Sequence, residues 1–237
     1  FVRGPDHYGL SLEEYQRHEN ARRDKSWTAQ GIATDDVLAQ VFAYDPLVGA
    51  SLRLIQAFGL RRKESVQCRP FEHVKPFTET GLPVEQQQAD QYLWVKGKGG
   101  RVRWVPLATP VQHAALELAQ QVVASRDAHM GAPDRDLKRN LRRFDYVLEK
   151  FGITLRERGA TGHGLRHERL NDAYEGITGL PSPVRGGGPV SPELDRAARL
   201  AVSQLAGHAR LRASGAYLGS SAVMRSKGLK PSEPPMT

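Results

Sequence analysis

Residues 92–107 of the chain read YLWVKGKGGRVRWVPL. Both ends of this stretch are rich in aromatic and β-branched residues, and the middle, GKGG, is rich in glycine. Two such runs joined by a short glycine-containing turn are typical of a β-hairpin. The stretch therefore predicts paired strands over Tyr92–Lys96 and Arg101–Leu107, and a third strand is expected near His73–Phe77.

The residues on either side of the hairpin predict helices. Thr34 is predicted to cap a first helix that has Asp35 and Asp36 in its first turn. Pro46 suits the first turn of the next helix, which Gly59 ends. Caps and apolar periodicity predict further helices near Arg61, within residues 109–126 and 134–152, from His163, and within residues 191–208. The predicted fold class is mainly α with a small antiparallel β-sheet, an α+β arrangement.

The charge balance indicates the kind of partner. The 237 residues include 34 lysines and arginines against 26 aspartates and glutamates, which gives a formal net charge of +8 and a sequence pI near 9.8. Such an excess favours a polyanionic partner, most simply nucleic acid, and the alternative is an inert basic surface. Lys96–Arg103 contains four positive residues and no acid, and Arg199–Lys230 contains six and no acid.

Composition also excludes some classes of protein. Cys68 is the single cysteine, so the chain cannot build a disulfide framework or a cysteine zinc site, and it fits a reducing compartment. No apolar run approaches the roughly 18 residues that a membrane-spanning helix needs. We therefore expect no membrane segment.

Residues 161–170, TGHGLRHERL, concentrate histidine and arginine. Arg166 and His167 follow His163 by three and four residues, hence all three share one face of a helix that begins here. A helix N-terminus favours phosphate, an arginine can bind two phosphate oxygens, and a histidine can transfer a proton near neutral pH. By itself the pattern also fits a solvated basic helix.

Three other short motifs contain residues of related chemistry. Arg61 and Glu64 stand in the sequence GLRRKE, which directly follows an apolar helix. Lys98 stands between glycines at the tip of the predicted hairpin. His208 ends the sequence AGH and precedes Tyr217 by nine residues. Taken one at a time, these are an ordinary surface arginine, a solubilising lysine and a half-buried tyrosine.

Taken in order, the motifs resemble those of the tyrosine recombinases, also called the phage integrase family. That family has a Gly-Leu-Arg-x-x-Glu box, a lysine in a glycine turn of a β-hairpin, a His-x-x-Arg box, and a Gly-His pair before a nucleophilic tyrosine. The corresponding stretches here are GLRRKE, GKGG, HGLR and the GH that precedes Tyr217. The resemblance extends over residues 34–220 and implies a tyrosine-recombinase catalytic-domain-like fold.

The resemblance implies a site-specific DNA recombinase, or integrase, of a mobile genetic element. Such an enzyme cuts and rejoins DNA through a 3′-phosphotyrosine intermediate. Tyr217 would attack the phosphodiester, and Arg61 and Arg166 would stabilise the negative charge of the transition state. Lys98 would protonate the departing 5′-oxygen as general acid.

Three further residues have supporting roles in the implied scheme. His163 would assist proton transfer at the tyrosine, His208 would hydrogen-bond the phosphate, and Glu64 would orient Arg61 or a neighbour. The scheme needs no cofactor, because the phosphotyrosine conserves the bond energy that ATP would otherwise supply. It needs no metal either, since the arginines supply the positive charge. No metal ligands are therefore predicted.

The implied partner is double-stranded DNA, bound by a homotetramer, with a monomer expected in the absence of DNA. DNA contacts are predicted for positive residues and a histidine around the site: Lys96, Arg101, Arg103, His167, Arg210 and Arg212. Such contacts predict binding that weakens steeply with salt. The resemblance further implies a bacterial or phage-encoded enzyme that acts at the nucleoid in the cytoplasm.

The domain organisation follows from where the motifs lie. Residues 31–222 are predicted to form the catalytic domain, and residues 223–237 a flexible C-terminal tail. Residues 1–30 are polar and are either a linker or the remnant of an N-terminal DNA-binding domain. The segment 177–191 is longer than is usual in the family, and it is either a partner contact or an insertion.

Two other functions remain open on sequence alone. A type IB topoisomerase-like nicking-closing enzyme shares the chemistry, but it relaxes supercoils without a defined site. A catalytically silent DNA-binding protein binds DNA and never forms a covalent adduct.

Overall fold

The structure, a computed structural model, describes residues 23–208 and 211–219. In chain order its α-helices are α1 (Thr34–Tyr44), α2 (Pro46–Phe58), α3 (Arg62–Val66), α4 (Pro110–Val122), α5 (Leu137–Lys150), α6 (Leu155–Arg158), α7 (His163–Thr178), α8 (Pro192–Leu205) and α9 (Gly215–Leu218). The strands are β1 (Val74–Pro76), β2 (Gln91–Lys96) and β3 (Val102–Pro106). Short 3₁₀ turns stand at Thr28–Gln30, Phe77–Glu79, Val84–Gln86, Lys98–Gly100, Pro183–Arg185 and Leu211–Ser214.

Helix α2 lies at the centre of the fold. Asp45 caps it by accepting a hydrogen bond from the backbone N–H of Val48 at 3.1 Å, and Gly59 ends it in the left-handed conformation. Most of its surface is buried, including Val48, Ala50, Leu52, Leu54, Ile55, Ala57 and Phe58. Because it is apolar on several sides, α2 packs against α1, α4 and α7 at once.

The strands of the described residues form one antiparallel sheet in the order β1-β2-β3. Across the hairpin, Trp94 pairs with Trp104 and Leu93 pairs with Val105. Leu93, Val95 and Val105 are buried in the core, whereas the two tryptophans lie on the opposite, partly open face. The hairpin therefore has one face for packing and one that solvent or a ligand can reach.

Buried apolar residues of the described chain form two clusters. The larger one surrounds α2 and includes the inner face of the sheet and α5. The smaller one lies between α7, α8 and α9 and contains Leu170, Tyr174, Ala198, Val202, Ala206, Tyr217 and Leu218. Helix α7 belongs to both, since Leu165 lies in the larger cluster and Leu170 in the smaller. The helix that begins at His163 therefore joins the two halves of the molecule.

The predicted fold class, mainly α with a small antiparallel sheet, is confirmed. The hairpin strands agree with the prediction to within one residue at each end. The prediction that Thr34 caps α1 was wrong: Ala33 occupies the cap position, and Thr34 is already the first helical residue. The Thr34 hydroxyl donates to the Ile32 carbonyl at 3.4 Å instead. In the part of the chain that the structure describes, no helix is both long and apolar enough to cross a bilayer.

Residues before Thr34 already contribute to the core, although the sequence of residues 1–30 is polar. Trp27 is fully buried, its backbone N–H donates to the Glu168 carboxylate at 3.2 Å, and its indole N–H donates to the Thr161 carbonyl at 2.8 Å. Both partners are distant in sequence, which is why local patterning did not indicate them. The catalytic-domain boundaries at residues 31 and 222 remain predictions; residues 1–22 and the predicted tail lie outside the described residues.

Candidate active site

Arg61 stands at the N-cap of α3, three residues after the last residue of α2. Its backbone N–H donates to Glu64 Oε2 at 2.8 Å, and its Nη1 donates to Glu64 Oε1 at 2.6 Å. A glutamate at the third position of a helix commonly reaches back to the N-cap in this way. The local sequence therefore orients the Arg61 side chain, which remains 27 % exposed.

Glu64 is a buried carboxylate that holds more than one arginine. Besides Arg61, it accepts hydrogen bonds from Arg103 of β3 at 3.1 and 2.7 Å, and Arg166 Nη1 lies 3.9 Å from its Oε2. Burial alone would raise the pKa of Glu64, but the hydrogen bonds and charge of Arg103, with the hydrogen bonds from Arg61, lower that pKa to about 2. The ionised carboxylate therefore gathers three guanidinium groups, one from the start of α3, one from β3 and one from α7.

Arg166 of α7 is fully buried, and each nitrogen of its guanidinium has a partner. Its Nη1 donates to the Gly59 carbonyl, its Nη2 to the Ala206 carbonyl at 2.7 Å, and its Nε to the Tyr217 hydroxyl at 3.2 Å. Nη2 of Arg61 donates to the same Ala206 oxygen at 2.9 Å. Two guanidinium groups far apart in sequence thus converge on one oxygen atom.

Tyr217 approaches this pair from α9, a helix of a single turn. Its side chain is buried, and the centroid of its ring lies 5.4 Å from the guanidinium carbon of Arg166. Its hydroxyl is held by the same guanidinium that holds the Ala206 oxygen. The candidate nucleophile and the two positive groups therefore share one site where the two apolar clusters meet.

Three histidine rings surround the Tyr217 ring. The ring centroids of His167, His163 and His208 lie 4.7, 5.9 and 5.9 Å from that of Tyr217. His163 is exposed at one edge and packs with its other side against His167 and the tyrosine. The loss of water on the packed side, followed by the charge of Arg166, lowers the pKa of His163 to about 4. His163 is therefore neutral at physiological pH.

The other two histidines are also uncharged near neutral pH. Burial, followed by the proximity of His163, lowers the pKa of His167 to about 3. Burial, followed by the charge of Arg61, lowers the pKa of His208. Nδ1 of His167 and Nε2 of His208 are buried and have no hydrogen-bond partner among the described residues. Nε2 of His208 is therefore available to a ligand of the site.

The hairpin turn lies next to the arginine–glutamate cluster. A Cβ atom added at Gly97 would lie 3.2 Å from Glu64 Oε1, so the base of the turn touches the carboxylate that orients Arg61. Lys98 is the first residue of the 3₁₀ turn that follows, and Lys96 and Arg101 are exposed on either side of it. The base of the turn is thus close to the Arg61–Glu64 pair.

An open groove of about 1000 Å³ begins at Arg61 and Glu64. It continues between α3 and the open face of the hairpin, where Trp94 and Trp104 line it. Tyr217 does not line this groove, so the groove adjoins the site of convergence and does not contain it.

The structure corrects two of the expected DNA contacts. Arg103 and His167 are 9 % and 3 % exposed. Arg103 is held inside by its ion pair with Glu64, and His167 by its packing against Tyr217. Neither side chain presents a surface that a DNA backbone could reach. Of the other expected contacts, Arg212 lies in the turn Leu211–Ser214, and Arg210 lies outside the described residues.

A basic surface on α5 was not among the predicted contacts. Arg139 and Arg142 are exposed on this helix and have no ion-pair partner among the described residues. Arg135 and Tyr146 lie beside them around a shallow depression. The spacing of three residues between Arg139 and Arg142 places both on one face of the helix, and this spacing is the sequence signal for the surface. In the described ranges, no three histidine, cysteine, aspartate or glutamate side chains group as they would around a metal ion.

The chain is similar to known proteins in sequence and in structure. The model of a family described as integrase matches residues 21–172. The solved structure of XerH site-specific recombinase bound to difH substrate, a pre-cleavage complex, is 14 % identical with a TM-score of 0.45, and the match covers 82 % of this chain and 50 % of that one. XerA recombinase is 16 % identical with a TM-score of 0.45, and the match covers 83 % of this chain and 62 % of that one. The chain thus spans less than two thirds of the length of either solved protein, and no curated protein matches it.

Proposed function

The chain belongs to the integrase family, the tyrosine recombinases whose motifs it resembles, and from that premise we propose that it is a site-specific DNA recombinase. The family match ends at residue 172 and does not include Tyr217. The observation that carries the proposal is therefore the convergence of Arg61 and Arg166 on the Ala206 oxygen, with the Tyr217 hydroxyl on the same guanidinium. This arrangement suits attack by a phenol on a phosphodiester.

The scissile phosphate is proposed to bind where the two guanidinium groups meet. The nitrogens that bond Ala206 each carry a second N–H group, which leaves one donor on Arg61 and one on Arg166 for a non-bridging phosphate oxygen. Negative charge grows on these oxygens as the hydroxyl of Tyr217 attacks, and preorganised donors stabilise it. The products are a 3′-phosphotyrosine and a free 5′-hydroxyl, and the reverse reaction reseals DNA without ATP.

Three residues are proposed to move or hold protons. His163 is neutral because its pKa is lowered to about 4, so it can accept the proton of the attacking hydroxyl at neutral pH. Nε2 of His208 lacks a partner among the described residues and is proposed to hydrogen-bond the phosphate. Lys98, on the turn beside the Arg61–Glu64 pair, is proposed to protonate the 5′-oxygen as it leaves. The arginines supply the positive charge, so no metal enters the proposed reaction.

Double-stranded DNA is the proposed partner, bound by four copies of the chain, because recombination joins two duplexes and cuts four strands. Lys96 and Arg101 flank the hairpin turn on one side of the site. We add the exposed face of α5, with Arg139 and Arg142, as a second contact to the DNA backbone. Each lost phosphate contact reduces the slope of log affinity against log salt by about one.

The decisive experiment traps the covalent intermediate on a pool of nicked duplexes of random sequence. A nick beside the cut site lets the 5′-hydroxyl fragment diffuse away, so the adduct cannot be resealed. We expect peptide mass spectrometry to find a 3′-phosphate on Tyr217, and we expect Tyr217→Phe to form no adduct while it still binds DNA. Tyr44→Phe, at an exposed tyrosine of α1 outside the proposed DNA contacts, is the matched control and retains adduct formation.

The other outcomes separate the alternatives. An adduct on a different residue, or an adduct formed by Tyr217→Phe, contradicts the assignment of the nucleophile. DNA binding without any adduct across the pool indicates a catalytically silent DNA-binding protein. Relaxation of supercoiled DNA regardless of its sequence indicates the topoisomerase-like function.

A further inference from the structure

Helix α9 has one turn and cannot be held by its own hydrogen bonds, and two buried side chains hold it from outside. Asn171 of α7 is fully buried, and its amide nitrogen donates to the backbone carbonyl of Tyr217 at 3.4 Å. Arg199 of α8 donates from Nη1 to the carbonyl of Gly219 at 2.9 Å. Carbonyl groups at a helix C-terminus have no partners inside the helix, so these two donors satisfy acceptors that would otherwise be buried and unpaired.

Both donors are themselves fixed by buried contacts. The amide oxygen of Asn171 accepts a hydrogen bond from the hydroxyl of Ser182, which is fully buried. Nε of Arg199 donates to both carboxylate oxygens of Asp195, at 3.0 and 2.8 Å, and Asp195 also accepts from the Tyr174 hydroxyl at 2.7 Å. The geometry around α9 is therefore specified by side chains from two helices and one loop.

This loop follows the end of α7 at Thr178 and belongs to the segment 177–191, which the sequence analysis predicted to be either a partner contact or an insertion. Its Val184 packs against the end of α9, because a Cβ atom added at Gly219 would lie 3.4 Å from the Val184 nitrogen. Its Arg185 donates to Asp172 of α7 at 2.6 Å and to Asp24 at 3.3 Å. The segment is thus anchored to α7 and contacts the tyrosine helix of its own chain.

We propose that Asn171, Ser182 and Arg199 are positioning residues that hold the Tyr217 hydroxyl at the arginine pair. The proposal rests on the proposed role of Tyr217 as the nucleophile. A shift of about 1 Å in a reacting group can slow a reaction about 100-fold. None of the three contacts Arg61 or Arg166 in the described structure, so their loss displaces the nucleophile and leaves the phosphate site in place.

The test compares tyrosine attack with attack by a small nucleophile at the same phosphate. For Asn171→Ala, Ser182→Ala and Arg199→Gln, we expect adduct formation on nicked DNA at saturating concentration to fall by up to about 100-fold, with DNA affinity retained. Arg199→Lys keeps a donor and recovers part of the rate. Arg196→Gln is the matched control, because this arginine is exposed on the same helix.

Hydrogen peroxide supplies the second readout. In the Tyr217→Phe background, the peroxide anion forms the bond to phosphorus, and the 5′-oxygen leaves and takes up a proton. We expect Asn171→Ala and Arg199→Gln to leave this peroxide cleavage within about twofold of Tyr217→Phe alone, since it uses the phosphate site and does not depend on the position of the tyrosine.

Two results overturn the proposal. Adduct formation at the wild-type rate in the folded variants means that α9 needs no support from these residues. Peroxide cleavage that falls in parallel with adduct formation means that the variants damage the arginine pair. If Asn171→Ala does not fold, the same measurements on Ser182→Ala and Arg199→Gln test the proposal. Absence of any adduct in the wild type is a different result, because it removes the proposed function itself.

Discussion

The arginine side and the tyrosine side of the candidate site are built in different ways. Arg61 and Arg166 are fixed by a buried carboxylate and by backbone carbonyls at the edge of the large apolar cluster. Tyr217 belongs to the small cluster, on a one-turn helix that single hydrogen bonds from Asn171 and Arg199 hold in place. The two guanidinium groups are thus oriented before any substrate binds, whereas the position of the nucleophile depends on a few contacts.

This difference matches what each side is proposed to do. Stabilising donors act best when they are already oriented and need no reorganisation during the reaction. A nucleophile that must be released again when DNA is resealed does not need the same rigidity. We therefore expect substitutions on the arginine side to remove all chemistry at the phosphate, and those on the tyrosine side to remove only attack by the tyrosine.

The largest effect is expected for Arg166→Lys. A lysine has one nitrogen for the three acceptors that Arg166 now binds, so adduct formation should fall about 1000-fold and peroxide cleavage should fall with it. Single-turnover rates on nicked DNA measure both. Arg169→Lys is the control, since Arg169 lies on the same helix and donates to the Ala57 carbonyl away from the site. A loss below about tenfold for Arg166→Lys would show that the guanidinium is not needed.

Glu64→Gln tests how much of the fold depends on the buried carboxylate. The substitution leaves Arg103 and Arg166 buried without their counter-charge, so the free energy of unfolding should fall by about 3 kcal/mol. Urea unfolding of the DNA-free protein measures it. Glu72→Gln breaks the exposed pair with Arg69 and should leave the free energy of unfolding nearly unchanged, because solvent screens this pair. Equal losses in the two variants would contradict the special role of Glu64.

His167 is expected to make the free energy of unfolding depend on pH. Its pKa is lowered to about 3, whereas a histidine in the unfolded chain takes up a proton near its ordinary value of 6.5. Between these values the unfolded state binds more protons, so the free energy of unfolding decreases as the pH falls. From pH 7.5 to pH 5 we expect His167 to account for a loss of about 2 kcal/mol. His167→Gln should make the pH dependence of urea unfolding shallower by that amount, and an unchanged slope would refute the prediction.

The smallest effects are expected for two glycines of the tyrosine side. Gly219 has a φ of 76° and a ψ of 168°, which only glycine adopts readily, and it lies against Val184; Gly219→Ala should therefore cost about 1–2 kcal/mol. Gly176 lies in the exposed interior of α7 with open space around it, so Gly176→Ala should add about 0.5–1 kcal/mol. Thermal unfolding of the two variants compares them directly. A Gly219→Ala variant that unfolds at the same temperature as the wild type, or at a higher one, would mean that the glycine at the end of α9 is not required.

The elements of the fold were predictable where the signal is local. Pro46 and Gly59 mark the ends of α2, and Thr109 caps α4 just as its position before a proline indicates. The prediction for Thr34 was wrong because residues that favour the N-cap also occur as the first residue of a helix. No side-chain signal shows that Ala33, and not Thr34, occupies the cap position. Local patterns fix an element and leave its exact first residue open.

The residues of the candidate site could be predicted from the sequence, whereas the contacts that surround them could be predicted less well. Arg61, Arg166 and Tyr217 could be identified from short motifs, and the structure brings them together. The burial of Arg103 could not be identified, because it depends on Glu64, which is distant in sequence and reaches Arg103 only when the hairpin packs on α3. Asn171 is likewise an ordinary polar residue in the sequence, and its bond to Tyr217 exists only once α7 and α9 are packed.

The burial of Trp27 beside α7 couples residues 25–27 directly to the start of that helix. The carbonyl of Lys25 and the ring of Trp27 leave no room for a Cβ atom at Gly164, which directly follows His163. A change in the path of residues 25–27 would therefore shift the start of α7 and, with it, His163, the residue proposed to accept the tyrosine proton. A side chain at position 164 would have to force these two segments apart.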